Sequence, residues 1–267
     1  MREILERLRK GEITVEDAEV LIKEKANLGI FGLANFDVHR EERTGIPEVV
    51  LAEGKNSEHL LKIIDSVLRK KKKVIITRLG KDQIEKIREF ASSQNYGLKY
   101  NDLARVCVVR VACLENSGLE NRSLENAEEK KGKVAIITAG TSDIPVAEEA
   151  KMIAEELGCK VFSEYDVGVA GIHRTFAALE RLKKEGVHAY IVAAGREGAL
   201  PTLIAGIVEG PVIGVPVSVG YGIGQRGEAA LHAMLQSCSP LVVVNIDAGF
   251  VAGAVAAQIA KRIVKGC

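Results

Sequence analysis

Val134-Ala-Ile-Ile-Thr138-Ala-Gly-Thr-Ser-Asp143-Ile-Pro145 passes from an aliphatic run into small and polar residues and then to a proline. Its first five residues have the length and β-branched content of a strand buried on both faces. Pro145 suits the first turn of a following helix, where a missing N–H costs nothing. A strand, a polar turn and a helix are expected in that order. The alternation then repeats downstream. Strands are expected at Val134 to Thr138, Lys160 to Ser163, Ala189 to Ala194, Val212 to Val217 and Leu241 to Asn245. Helices are expected near Pro145 to Leu157, Arg174 to Glu185, Leu200 to Val208, Gln225 to Leu235 and Gly249 to Val264. Strands of Val, Ile and Ala, each followed by a helix, imply a parallel sheet covered on both faces. The fold class is α/β, with a doubly wound sheet in three αβα layers.

The residues before this unit differ in texture. Positions 1 to about 128 are charged, with a lysine run from Lys70 to Lys73, whereas positions 133 to 264 are rich in Gly, Ala and Val. Asn116 to Lys131 reads as a linker, so the expected domains are 1–128 and 129–267. In the first domain, Thr14-Val-Glu-Asp17 resembles a capping box, and Leu60 to Leu68 has helical spacing. Lys73 to Thr77 is expected as a strand, Asp82 to Ala91 as a helix, and Val106 to Ala112 as an apolar strand-like run. The result is a smaller α/β domain.

Composition narrows the function class. The chain has 267 residues, 47% hydrophobic and 27% charged, with a formal charge of +1. It offers no global charge for nucleic acid and no apolar run of the roughly 20 residues that span a bilayer. The opening Met1-Arg-Glu-Ile-Leu-Glu-Arg7 lacks a signal-peptide core, so a cytoplasmic protein is expected. Cys107, Cys113, Cys159, Cys238 and Cys267 form neither a zinc pattern nor a disulfide framework, and reduced thiols are expected.

Chemistry-bearing residues gather at expected strand ends, where open α/β sheets bind ligands. Ser142 and Asp143 stand at a helix start, either as an anion site or simply as helix caps. His173 and Arg174 follow the flexible Gly168-Val-Ala-Gly171 segment; a histidine relays protons near neutral pH and an arginine clamps anions. Arg196 and Glu197 follow the third strand, where Glu197 suits a hydrated divalent cation or a proton shuttle and the two charges also suit a mutual pair. Gly214 to Gly224, including Gly220 and Gly222, is too glycine-rich for regular structure and suits a backbone cradle for phosphates. Gly222-Ile-Gly-Gln-Arg-Gly227 matches G-x-G-x-x-G, but no acidic residue on a second strand is expected to complete a dinucleotide fingerprint. Cys238, in Gln236-Ser-Cys-Ser-Pro240, is either an inert thiol or, with a lowered pKa, a nucleophile. His188 and His232 are assigned no role.

Ser142-Asp143, Gly171-Ile-His173-Arg174-Thr175, Gly195-Arg-Glu-Gly-Ala-Leu-Pro201 and Pro211-Val-Ile-Gly-Val-Pro-Val217 resemble, in order, the motifs of the PurE superfamily of aminoimidazole ribonucleotide carboxylases and mutases. Asp37-Val-His-Arg-Glu-Glu-Arg-Thr-Gly-Ile-Pro-Glu-Val-Val50 and Gly54-Lys55 add a resemblance to the LarB family of nickel-pincer-nucleotide biosynthesis proteins. LarB proteins join an N-terminal domain to a PurE-like domain and carry a cysteine at the position of Cys238. The resemblance implies carboxylation of the pyridinium ring of nicotinic acid adenine dinucleotide by carbon dioxide or bicarbonate. Phosphoanhydride hydrolysis then releases AMP and pyridinium-3,5-biscarboxylic acid mononucleotide, for nickel-pincer cofactor synthesis and lactate racemase maturation.

The implied catalytic residues are Cys238 as nucleophile, His173 and Asp143 for proton transfer, and Glu197, with Mg2+ at Glu197. The implied substrate-binding residues are Ser142, Arg174, Arg196, Gly220 and Gly222, joined by Asp37, Arg40, Arg43 and Lys55, whose charges either hold phosphates or tie the domains together. A homo-octamer is implied, with no nucleic-acid or membrane partner. A PurE-type ribonucleotide carboxylase or mutase and a non-catalytic nucleotide-binding regulator remain as alternatives.

Overall fold

A computed structural model of the chain describes residues 2–30, 34–111, 131–220 and 222–266. These residues form two compact units, one containing positions up to 100 with 106–111, the other containing 101–105 and the residues from 131 onward. The expected boundary at 128/129 and the linker from Asn116 lie in 112–130, outside the described residues, as do Cys113 and Cys267.

The first unit runs α1 (Arg2–Arg9), α2 (Val15–Ala26), β1 (Asn27–Ile30), β2 (Ala34–Asp37), α3 (Arg40–Thr44), β3 (Val49–Leu51), α4 (Ser57–Leu68), β4 (Lys73–Thr77), α5 (Lys81–Ser93), β5 (Tyr96–Asn101) and β6 (Val106–Val111). The capping box forms as expected: the Asp17 N–H donates to Thr14 Oγ1 at 3.1 Å, and the Thr14 N–H donates to Asp17 Oδ2 at 3.3 Å. Asn56 caps α4 by accepting the Glu58 N–H at 2.7 Å. The main sheet has the order β3-β4-β6-β5, with β3 parallel and β6 antiparallel to β4. A separate antiparallel pair, β1 with β2, packs Ile30 and Phe36 into the same core as Leu60, Ile64 and Ile76.

The second unit contains β7 (Lys133–Thr138), α6 (Ile144–Glu156), β8 (Lys160–Glu164), α7 (Ile172–Lys184), β9 (Ala189–Ala194), α8 (Ala199–Ala205), β10 (Val212–Pro216), α9 (Glu228–Leu235), β11 (Val242–Val243) and α10 (Gly249–Gly266). Short 3-10 turns at Thr141–Asp143, Val169–Gly171 and Gly222–Gly227 precede three of the helices. The sheet order is β11-β10-β9-β7-β8, and its paired strands are parallel. Two expectations shift here. The fifth strand shortens to two residues, and the segment before Glu228 is a 3-10 turn rather than helix.

Alternation divides the strand side chains between two layers. Ala135, Ile137, Tyr190 and Val192 pack with Leu179 of α7, Ile204 of α8 and Met234 of α9. On the opposite face α6 and α10 lie against β7 and β9 and against one another. Their approach is close because of glycine. A Cβ on Gly253 would stand 2.4 Å from the Ala150 carbonyl oxygen, and one on Gly249 would stand 2.4 Å from that of Val146. The doubly wound three-layer architecture is thus present. No helix among the described residues is long and apolar enough to cross a membrane.

Candidate active site

From β7 the chain winds outward to β8, then returns to the other side of β7 to form β9. The loops leaving β7 and β9 therefore diverge, and a crevice opens between them at the carboxyl end of the sheet. A cleft of about 360 Å³ occupies this point. It is lined from β7 by Gly140, Ser142 and Asp143, and from β9 by Gly195, Arg196 and Glu197. Gly168 to Ala170 and Val219–Gly220 supply the flanking walls.

Asp143 is the chemical centre of the cleft. It is only 4% exposed, yet it does not cap α6 forward. Its carboxylate reaches backward and sideways instead. Oδ2 accepts the Gly140 N–H at 2.8 Å, and Oδ1 accepts the Gly195 N–H at 3.1 Å, bridging the two diverging loops. The Gly140 bond is the backward half of a capping box at the 3-10 turn, so Asp143 does cap locally, and the Gly195 bond adds a reach to another strand. Burial raises the Asp143 carboxyl above its ordinary range, outweighing the backbone N–H groups that favour the anion, and the charge of Glu197 adds to the rise. A dry carboxyl held by amide dipoles, with oxygen lone pairs to spare, is equipped to take or give a proton.

Gly195 is required at this junction, because a Cβ there would meet the Val219 carbonyl oxygen at 2.7 Å and Asp143 Oδ1 at 3.3 Å. The next residue, Arg196, has φ 45°, a left-handed conformation uncommon for arginine. Arg196 and Glu197 pair loosely at 3.9 Å, each more than 60% exposed, so both charges remain at the mouth of the cleft. Exposed Ser142 lines the same mouth.

Other expected site residues lie elsewhere. His173 and Arg174 are exposed on the first turn of α7 and do not line the cleft. The Arg174 guanidinium already has a carboxylate, donating to Asp166 Oδ2 at 2.7 Å, so it is not the open anion clamp expected. Gly222 belongs to the 3-10 turn beyond Gly220 and is absent from the cleft wall. Among the described residues, no group of three or more His, Cys, Asp or Glu side chains is placed to hold a metal ion. The cleft has two carboxylates, Asp143 and Glu197, and both oxygens of Asp143 already accept backbone N–H groups, so Glu197 alone would hold a Mg2+ ion there, through its water shell.

Cys238 is exposed and free, as are the buried Cys107 and Cys159 free. Its position is a larger departure from expectation. The helix α9 returns from the carboxyl end, and β11 starts after Cys238, so the thiol stands at the amino end of the parallel sheet. Consistent with that, Ser239 Oγ lies 3.5 Å from the Cβ position of Gly206, which follows α8. A single chain does not bring Cys238 to Asp143.

One acidic residue escaped the sequence reading. Asp247 follows β11, in a left-handed conformation with φ 54°. Its N–H donates to the Pro216 carbonyl and its Oδ1 accepts the Ser218 N–H, both at 2.9 Å, securing the segment that brings Val219 and Gly220 to the cleft. It lies in a loop rather than on a strand, so it does not complete a dinucleotide fingerprint.

In the first unit, Asp37 pairs with Arg43 and accepts the His39 N–H at 3.2 Å. Arg43 holds the Asp37 carboxyl below its ordinary range, and its own pKa rises in return. Arg40 is exposed on α3, and Lys55 is fixed through its backbone, its carbonyl accepting from Gln83 Nε2 at 2.8 Å. Arg43 is therefore committed to a neighbouring carboxylate rather than left open for phosphate.

Comparison with known proteins agrees with this division. Residues 28–111 match the LarB/PurE-like N-terminal domain, and residues 133–265 match the AIR carboxylase family. An uncharacterized protein of Methanocaldococcus jannaschii is 42% identical over 265 residues, covering 98% of this chain and 97% of that protein. The probable N5-carboxyaminoimidazole ribonucleotide mutase of Methanothermobacter thermautotrophicus is 38% identical over 135 residues, 48% of this chain and 38% of that one. The N5-carboxyaminoimidazole ribonucleotide mutase of Thermotoga maritima is 32% identical over 133 residues, 48% of this chain and 74% of that one. With the two domains present in this order, the chain belongs to the LarB-like family, in which a LarB/PurE-like N-terminal domain precedes an AIR carboxylase domain.

Proposed function

We propose that the protein carboxylates the pyridinium ring of nicotinic acid adenine dinucleotide and hydrolyses its phosphoanhydride, giving pyridinium-3,5-biscarboxylic acid mononucleotide and AMP. The observation that carries this reading is Asp143, a buried carboxyl with a raised pKa in the switch-point cleft of a chain with LarB-like domain order. A pyridinium ring is too electron-poor to attack carbon dioxide. A thiolate must first add to a ring carbon, sending an electron pair to the ring nitrogen and leaving an enamine-like dihydropyridine. The enamine carbon then forms the new C–C bond. A base removes the proton from that carbon, and the thiolate departs with the C–S electron pair as the ring becomes aromatic again.

In this reading Asp143 is that base, because it lines the cleft and His173 does not. Cys238 supplies the thiolate from a second copy of the chain, since its own cleft is at the other end of the sheet. The cytoplasmic homo-octamer expected of the family is the assembly that would bring the two together. Arg196, at the mouth, faces the pyrophosphate, where water attacks phosphorus and AMP leaves. Any Mg2+ enters with the pyrophosphate as its counter-ion, and no step here is routed through it.

A second reading is favoured by one observation. The cleft alone, without Cys238, is what a carboxylase or mutase acting on an aminoimidazole ribonucleotide needs, because that ring is already an enamine. Purified protein incubated with nicotinic acid adenine dinucleotide, Mg2+ and labelled bicarbonate, followed by mass spectrometry, separates the two. AMP and a dicarboxylated pyridinium mononucleotide are expected. No such product, together with turnover of aminoimidazole ribonucleotide, would replace the first reading with the second. Full activity in Cys238→Ser would remove the covalent step.

A further inference from the structure

The first unit contains a pocket of about 290 Å³ that has no part in the chemistry above. Its floor is apolar, built by Phe36, Val38 and Ile75, all buried. On one side stand Lys71, Lys72 and Lys73; alternation along β4 puts Lys73 and Ile75 on one face, and Lys71 and Lys72 stand in the bend just before the strand. Lys71 has only a loose 3.9 Å pairing with Glu42, and exposed Lys72 makes no ion pair among the described residues. On the other side are Asp37, Glu41 and Glu48. Asp37 is already neutralised by Arg43, and Glu48 Oε2 accepts the Asp37 N–H at 3.1 Å. The second oxygen of Glu48 and the exposed Glu41 carboxylate remain as acceptors.

A uniform anion would be repelled by the carboxylate side, and an amine would be repelled by the lysine side. The occupant that satisfies both sides is a planar apolar body with N–H donors at one edge and an anionic group at the other. From this geometry we infer that the pocket binds an adenine nucleotide of monophosphate size. The base lies over Phe36 and Ile75, its exocyclic amino group donates to Glu41 or Glu48, and its phosphate lies among Lys71, Lys72 and Lys73. The volume suits a mononucleotide better than a dinucleotide. The inference deepens the proposed function, because AMP is a product of the reaction proposed for the other unit's cleft, but it is argued from the pocket's lining alone.

The test needs only AMP and the full-length chain with methyl-labelled isoleucine. Added AMP is expected to shift the Ile75 methyl resonance saturably, with inosine monophosphate and ribose 5-phosphate binding at least about tenfold more weakly. Inosine monophosphate puts a carbonyl oxygen where adenine has its amino donor and keeps only the ring N1–H to meet a carboxylate, and ribose 5-phosphate has no base. Lys72→Glu, a change on an exposed side chain, is expected to weaken AMP by about tenfold or more. Inosine monophosphate binding as tightly as AMP would overturn the proposal. So would an AMP response that spares Ile75, one indifferent to Lys72→Glu, or no response at millimolar AMP. None of these outcomes depends on carboxylation, so a failed carboxylase assay leaves the test intact.

Discussion

Asp37 and Asp143 each line a pocket of their own unit, and their carboxyls are shifted in opposite directions. Asp143 is buried and held by amide dipoles from two loops, so desolvation dominates and its proton is held more tightly. Asp37 is held by the full charge of the Arg43 guanidinium and stays ionised. The lesson is that the anchoring partner decides the use. Dipoles in a dry cleft leave a carboxyl reactive, whereas a paired cation makes it a brace.

The most severe way to break that contrast is Asp143→Asn. An amide cannot accept or release the proton, and it offers one acceptor oxygen where Asp143 uses two, so its NH2 would face the N–H of Gly140 or Gly195. A rate loss of about 10²–10⁴-fold in carboxylation is expected, with the fold retained by circular dichroism. Activity within a factor of about three of wild type would show that Asp143 is not the proton-transferring group.

How far the sequence revealed these two sites depends on the range of the interactions involved. The strands of the second unit were legible because β9, Ala-Tyr-Ile-Val-Ala-Ala, is buried at all six positions, and a strand covered on both faces needs nothing but apolar residues. In the first unit, β3 has only three residues and β5 mixes Tyr, Lys and Asn, so neither stood out from its surroundings. Ser142 and Asp143 were legible as a strand-end pair. The direction of the Asp143 side chain was not, because its partner Gly195 lies on another strand. Cys238 leaves a helix and enters a parallel strand, an order that by itself puts it at the amino end of the sheet, away from the cleft; which residues face it there depends on the strand order. Asp247 escaped for a similar reason: its partners Pro216 and Ser218 belong to the neighbouring strand's exit.

A second test addresses the support behind Asp143 rather than the carboxyl itself. α6, which starts immediately after Asp143, is packed on α10 through Gly253, where an added Cβ would stand 2.4 Å from the Ala150 carbonyl. Because that obstacle is backbone, Gly253→Ala must push the helices apart. A loss of about 1–3 kcal/mol in urea unfolding is expected. The corresponding change in the first unit, Gly97→Ala, meets only the Arg110 carbonyl at 3.9 Å and is expected to cost far less. Equal effects would mean that the helix pair under Asp143 is no more tightly packed than the edge of the other sheet.

The mildest test uses pH. The folded-state pKa of Asp37 is lowered, so its stabilisation is present above the ordinary carboxylate value and is lost as pH falls through the folded value. Asp143 runs the other way: native protein binds its proton more tightly than unfolded chain, so a penalty grows as pH rises from the ordinary value through the raised one. Arg43→Ala removes the cation from Asp37 and leaves Asp143 untouched. Its thermal midpoint is expected to fall slightly below wild type at neutral pH, with the gap narrowing as pH falls from the ordinary carboxylate value through the lowered value of wild-type Asp37. A gap that stays constant with pH would assign Arg43 a packing role instead. Asp143→Asn, which removes the ionisation penalty, should gain on wild type as pH rises from the ordinary carboxylate value through the raised one, so the Arg43 effect is read below the ordinary value and the Asp143 effect above it, with opposite signs.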